Sequence, residues 1–185
     1  DYDGGGLGDM GQHYLDPVQY LLGKDDTSPV EVEVDAPQQH PDAVSSWRRL
    51  SDNAIPSRAK TTGSYINSSL AATEAKQAGF HEAIFLREDG TVCEGSAMNL
   101  FMVYKNQLIT PPPTSDILVG ITRNTVMELA DQHLSLKVEE RPISRTELYV
   151  CDELFFCGTG AQVAPVRSVD RRVIGNGEPG PFTRQ

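Results

Sequence analysis

The chain reads as an α+β domain, and three observations point there. Apolar strand-like runs at Glu82–Leu86, Thr91–Glu94, Asn99–Tyr104 and Gln107–Thr110 follow one another closely. The turns between them, Glu88-Asp89-Gly90 and Lys105-Asn106, are short enough to make antiparallel hairpins. Helical runs lie outside this block, so strands and helices are mixed rather than alternating regularly.

Taken in order, Gly4 to Asp9 reads as a flexible loop, and Met10–Leu22 as a helix with Met10, Tyr14, Leu15, Val18, Leu21 and Leu22 on one side and a kink at Pro17. Val30–Val34 alternates as a half-buried strand, and Pro37 to Pro41 breaks the pattern. From Ser45 the character changes. Ser46–Leu50 reads as a strand edge, Ser51–Pro56 as a turn-rich loop, and about Asn67–Ala78 as an Ala-rich helix that Gly79 stops. After Pro111-Pro112-Pro113 a helix is expected to run from Arg123 to His133. Strands follow at 136–141 and Asp152–Cys157, with a capping box at Ser144-Arg145-Thr146-Glu147 between them. Val163–Gly177 reads as short strands turning at Asp170-Arg171.

Composition narrows the function. The formal charge is −10 over 185 residues, which argues against nucleic acid as a partner. Residues 1–44 hold ten acidic residues and one basic one, Lys24, whereas the remainder is nearly neutral. That asymmetry points to two segments. No apolar run reaches the length of a membrane span and no signal peptide opens the chain, so a cytoplasmic protein is expected. Cys93, Cys151 and Cys157 have no metal-ligand spacing and read as reduced core or strand residues.

The chemistry gathers around Lys60, in Arg58-Ala59-Lys60-Thr61-Thr62-Gly63-Ser64-Tyr65. An amine is a nucleophile only when neutral, burial lowers its pKa, and a lysine in a connection between elements can be held in a cleft in that way. Glu94 sits at a strand end, where a carboxylate can hold a protonated pyridine nitrogen. Thr122 follows Gly120-Ile121 at a helix start, where free N–H groups favour a phosphate. Gly158-Thr159-Gly160 is a second loop able to serve the same phosphate. A lysine, a carboxylate and a phosphate cradle are the parts that pyridoxal phosphate requires. Each also has a plain structural reading: a surface lysine, a surface carboxylate, an N-cap and a turn.

Residues from about Ser45 to Gln185 resemble the large domain of class IV (fold-type IV) aminotransferases, and within it the branched-chain amino acid aminotransferases. The matching stretches are Ala59–Ser68, Glu94–Phe101, Thr110-Pro111-Pro112, Leu118–Arg123 and Gly158–Val166. The resemblance implies the D-amino acid aminotransferase-like fold, with mixed sheets forming a pseudo-barrel flanked by helices. It implies pyridoxal 5′-phosphate bound through a Lys60 Schiff base, with Lys60 also moving the substrate proton. Tyr65 would bond the cofactor's phenolic oxygen, Glu94 its ring nitrogen, and Leu118 its face; Ile121, Thr122 and Thr159 would take the phosphate. Gly160 and Ala161 would lie by the substrate carboxylate.

The implied reaction is transamination of Leu, Ile or Val with 2-oxoglutarate in a homodimer or larger assembly. Gly160-Ala161-Gln162 departs from the family's usual Ala-Ala-Glu, and Met98 stands where Glu is common. The family's small N-terminal domain has no match here, and the C-terminal end is expected to be incomplete.

Residues 1–44 are similar instead to a segment of the Gfo/Idh/MocA oxidoreductases, through the run from Gly4 to Asp16. That likeness would give substrate and proton-transfer roles to Asp9 and His13. Three further readings stand beside the transaminase: another class IV enzyme (a D-amino acid aminotransferase or aminodeoxychorismate lyase), an NAD(P)-dependent oxidoreductase fragment, which lacks a Gly-x-Gly-x-x-Gly motif after a strand, and a non-catalytic fragment.

Overall fold

The structure is a computed structural model that describes residues 40–134 and 137–184. The expected helix Met10–Leu22, the strand Val30–Val34, and Asp9 and His13 lie outside the described residues.

Among the described residues, nine strands form one mixed sheet: β1 (His40–Arg48), β2 (Glu82–Leu86), β3 (Val92–Gly95), β4 (Asn99–Tyr104), β5 (Gln107–Thr110), β6 (Glu139–Glu140), β7 (Glu153–Gly158), β8 (Gln162–Val169) and β9 (Arg172–Val173). Their order is β3-β2-β1-β8-β7-β4-β5-β6, with β9 beside β8. Strand β1 is parallel to both β2 and β8, while the hairpins β2–β3, β4–β5 and β7–β8 are antiparallel. With helices α1 (Tyr65–Gln77) and α2 (Ile121–Leu134), this is the expected α+β architecture.

The two halves of the sheet meet in β8. Its first half pairs with β7, from Gly158↔Gln162 to Phe155↔Pro165, and its second half pairs with β1 and β9. Pro165, which has no N–H to give a ladder, sits at the changeover. Side chains then alternate between two environments. Ile84, Leu86, Leu100, Met102, Leu154 and Phe156 fill a central core between the halves. Ala83 and Phe85 face the other way into a cluster with Ala71 and Ala75 of α1. Phe101, Val103, Phe155 and Cys157 pack on Ala130 of α2. Strands covered on both faces read as unbroken apolar runs, which is why β2, β4 and β7 stand out in the sequence.

Helix α1 buries only small side chains, Asn67, Ser68, Ala71 and Ala75, so its axis can lie close to the sheet. It ends as expected: Gly79 takes φ +82° and Phe80 N–H donates to Ala75 O at 2.9 Å. The turn at Lys105-Asn106 puts both residues at positive φ, +50° and +64°, the mirror-image turn that matches strand twist. Asp170 and Arg171 do the same between β8 and β9.

Three expectations need correction. Strand β1 runs unbroken through the junction placed at 44/45, pairing with β2 at Asp42, Ala43 and Val44, so residues 40–44 belong to this sheet. Pro41, read as a breaker, lies within β1. Of the strand expected at 136–141, the described residues 137–141 hold only Glu139–Glu140, at the far edge beside β5. The capping box holds, with Ser144 N–H donating to Glu147 at 2.8 Å, and the short helix it opens, Arg145–Tyr149, is 3₁₀.

Candidate active site

Five connections converge on a cleft of about 590 Å³. They are the loop after β1, the start of α1, the β3–β4 connection, the approach to α2 and the β7–β8 connection. The nine residues expected at the cofactor and substrate site line it: Lys60, Tyr65, Glu94, Leu118, Ile121, Thr122, Thr159, Gly160 and Ala161. The volume falls in the range of small-molecule sites, roughly 300–1,000 Å³.

Glu94 forms the floor and is 4% exposed. Arg49 Nη2 reaches Oε1 at 2.6 Å. Asn99 Nδ2 donates to Oε2 at 2.9 Å, and Leu118 N–H donates at 3.1 and 3.2 Å. Asn99 Nδ2 also donates to Leu118 O at 2.7 Å, which ties the approach to α2 onto the start of β4. Gly120 makes that approach possible, because a Cβ there would stand 2.4 Å from Asn99 Oδ1. Burial pushes the Glu94 carboxyl up to about 7, against the pull of Arg49 and Leu118 N–H.

The start of α2 is anchored from below. Arg123 is 2% exposed and donates from Nη2 to Pro111 O at 3.0 Å and to Glu140 at 2.7 Å. The first intrahelical bond at this end is Asn124 N–H to Gly120 O at 3.1 Å, so the amides of Ile121 and Thr122 have no carbonyl of the helix to donate to. Both residues line the cleft, and free amides at a helix start, reinforced by the helix dipole, can donate to an anion.

Lys60 lines the cleft but is exposed, on a stretch where Arg58, Ala59, Thr62 and Gly63 are exposed too. The loop is held by its own turns, with Thr61 N–H to Ala59 O at 2.8 Å and Ser64 Oγ to Thr61 O at 2.8 Å. Its earlier part is fastened more firmly. Ser57 donates twice to Asp52 at 2.8 Å, and Asp52 N–H donates to Asp116 at 3.0 Å. Cys157 also lines the cleft, with burial raising its thiol to about 12, which keeps it a neutral packing residue. All three cysteines are free and buried, as expected.

Sequence reasoning missed Arg49, Asn99, Gly120 and Arg123. Arg49 stood in a strand edge, Trp47-Arg48-Arg49, that gave no hint of a partner 45 positions on. A glycine just before a helix start was the one readable signal, at Gly120.

The class IV amino-transferase family matches residues 25–169. The chain belongs to that family. The match begins inside the segment 1–44, so the class IV likeness extends N-terminal to residue 45. Among relatives, a "Probable branched-chain-amino-acid aminotransferase" from Aquifex aeolicus is 55% identical over 142 residues, which is 77% of this chain and 46% of the relative. Among solved structures, the branched-chain amino acid aminotransferase from Thermobaculum terrenum in its PLP-form aligns with a TM-score of 0.79 at 46% identity, covering 80% of this chain and 48% of that one. The branched-chain amino acid aminotransferase of Escherichia coli aligns with a TM-score of 0.78 at 44% identity, covering 80% and 48%. The chain therefore shares the α+β fold of these class IV enzymes and spans about half the length of the relatives it matches. Among the described residues, no helix is long and apolar enough to cross a membrane.

Proposed function

We propose that this class IV chain carries the pyridoxal-phosphate site of a branched-chain amino acid aminotransferase. The substrates would be Leu, Ile or Val with 2-oxoglutarate. The observation that carries this reading is the gathering of Lys60, Glu94 and the α2 N-terminus around one cleft. The donor set fits the cofactor. Glu94 is an acceptor buried among donors, suited to a protonated ring nitrogen, and the open amides of Ile121 and Thr122 suit a phosphate.

When bound, pyridoxal phosphate supplies an electron sink for the Cα–H bond of an amino acid. The chain's own residues do the rest. Lys60 would hold the cofactor by its ε-amine and take the proton from the substrate Cα. Tyr65 would donate to the phenolic oxygen. Glu94 would hold the ring nitrogen, and Leu118 would pack on the ring. Ile121, Thr122 and Thr159 would bind the phosphate, and Gly160 and Ala161 would lie beside the substrate carboxylate.

Ile66 and Leu70 of α1 are 68% and 42% exposed, and Ile121 at the cleft rim is 69% exposed. Apolar surface of this kind suits a homodimer or larger assembly. Sedimentation showing only monomer at working concentration counts against that. Three buried free thiols suit the cytoplasm.

The substrate class is tested by incubating the chain with pyridoxal phosphate, leucine and 2-oxoglutarate and measuring glutamate. Glutamate made from leucine, and not from D-alanine, supports the reading. Conversion of D-alanine instead moves it to another class IV activity.

A further inference from the structure

Glu94 sits among donors only. Arg49, Asn99 and the Leu118 amide fill about three of the four lone-pair positions that a carboxylate offers, leaving roughly one for a ligand. The Asn99 amide is oriented by its second bond to Leu118 O, so its nitrogen and not its oxygen faces Glu94. A protonated Glu94 has no acceptor in this ring for its O–H.

Arg49 is itself held from three sides. It donates from Nε to Asp116 O at 3.3 Å and from Nη1 to Ser68 of α1 at 3.4 Å, and its guanidinium lies 5.6 Å over the Phe85 ring. Its side chain is 10% exposed, so it cannot swing into solvent without vacating a packed position.

We propose that Arg49 is the positioning residue of this site: it holds Glu94 ionised and in one orientation, so that a buried anion is ready for a protonated ring nitrogen. This rests on the pyridoxal-phosphate reading only for what the anion serves. The ion pair itself is independent of any ligand.

The other charged groups around Glu94 do not replace Arg49. Arg123 pulls in the same direction but gives its hydrogen bonds to Pro111 O and Glu140. Cys93, the neighbour on β3, is kept neutral by burial. Asp116 is occupied by Arg87 and the Asp52 amide. Lys60 and Tyr65 share the cleft but make no bond to Glu94. Burial alone drives the carboxyl toward its neutral form, and the charge of Arg49 is the largest influence opposing it.

The test is a pH titration of the full chain labelled with ¹³C at glutamate carboxyls, without cofactor. The Glu94 signal is assigned by its loss in Glu94→Gln. In Arg49→Met the Glu94 midpoint moves up by about 1–3 pH units, the size of an opposite-charge contact. Arg49→Lys, which keeps the charge, restores most of the difference. An unchanged midpoint in folded Arg49→Met overturns the proposal. Should Arg49→Met not fold, its melting is compared with that of Arg49→Met/Glu94→Gln at pH 8. Recovery in the double variant supports the pair, and equal instability of the two overturns it. A parallel titration of the parent with pyridoxal phosphate separates the two claims. Failure to bind there counts against the function and leaves the Glu94 midpoint standing.

Discussion

The two ends of the cleft are built differently. At the Glu94 end the carboxylate is 4% exposed and fixed by Arg49, Asn99 and Leu118, each seated on a different segment of the chain. At the Lys60 end the lysine is exposed on a loop bonded mainly to itself. The contrast separates a preorganised half from a half that ligand is left to order. A fixed anion keeps its catalytic value without reorganisation, whereas a lysine with the proposed role of forming and releasing a covalent link would gain from freedom.

That contrast is broken most strongly from the frame. Phe156 is 2% exposed and its ring would stand 3.0 Å from a Cβ on Gly95, beside Glu94. Phe156→Ala is expected to lose about 3–5 kcal/mol of stability, read by urea denaturation. Next comes Gly120→Ala, whose Cβ has to push Asn99 off Glu94 and Leu118. A cost of about 1–3 kcal/mol is expected for the buried hydrogen bonds lost, together with weaker cofactor binding by equilibrium dialysis.

A smaller effect reads the frame through pH. Asp42 of β1 is fully buried, and that burial, with Glu82 beside it, raises its carboxyl to about 8 from the ordinary 3.8. Between those values the folded chain keeps a proton that the unfolded chain has lost. Stability therefore falls as pH rises through that window. Unfolding free energies from urea titrations at pH 5.5 and 8.5 are expected to differ by more than about 1 kcal/mol, and Asp42→Asn to flatten the difference. At the loose end, Lys60→Ala is expected to change stability by no more than about 0.5 kcal/mol. A larger loss shows that the loop is part of the frame after all.

What was readable in the sequence follows the same division. Glu82–Leu86, Asn99–Tyr104 and Gln107–Thr110 were legible because double-sided burial makes apolar runs and turn residues bound them. Lys60, Glu94 and Thr122 were legible as chemical types, and the cleft brings them together. The extent of β1 was not, because Pro41 sits where the ladder tolerates it, near the strand's beginning. Arg49 was hidden for a different reason: its meaning lies in Glu94 and Ser68, which only the fold brings within reach.

Both ends of this cleft are held to act on one ligand. The most direct test is a visible-absorbance titration of the full chain with pyridoxal phosphate, followed by borohydride reduction, in the parent, Lys60→Ala and Glu94→Ala. The expected result is a band that borohydride fixes in the parent, no such band in Lys60→Ala, and a shifted, weakly held band in Glu94→Ala. An identical band in parent and Lys60→Ala, or one indifferent to Glu94, contradicts a shared ligand.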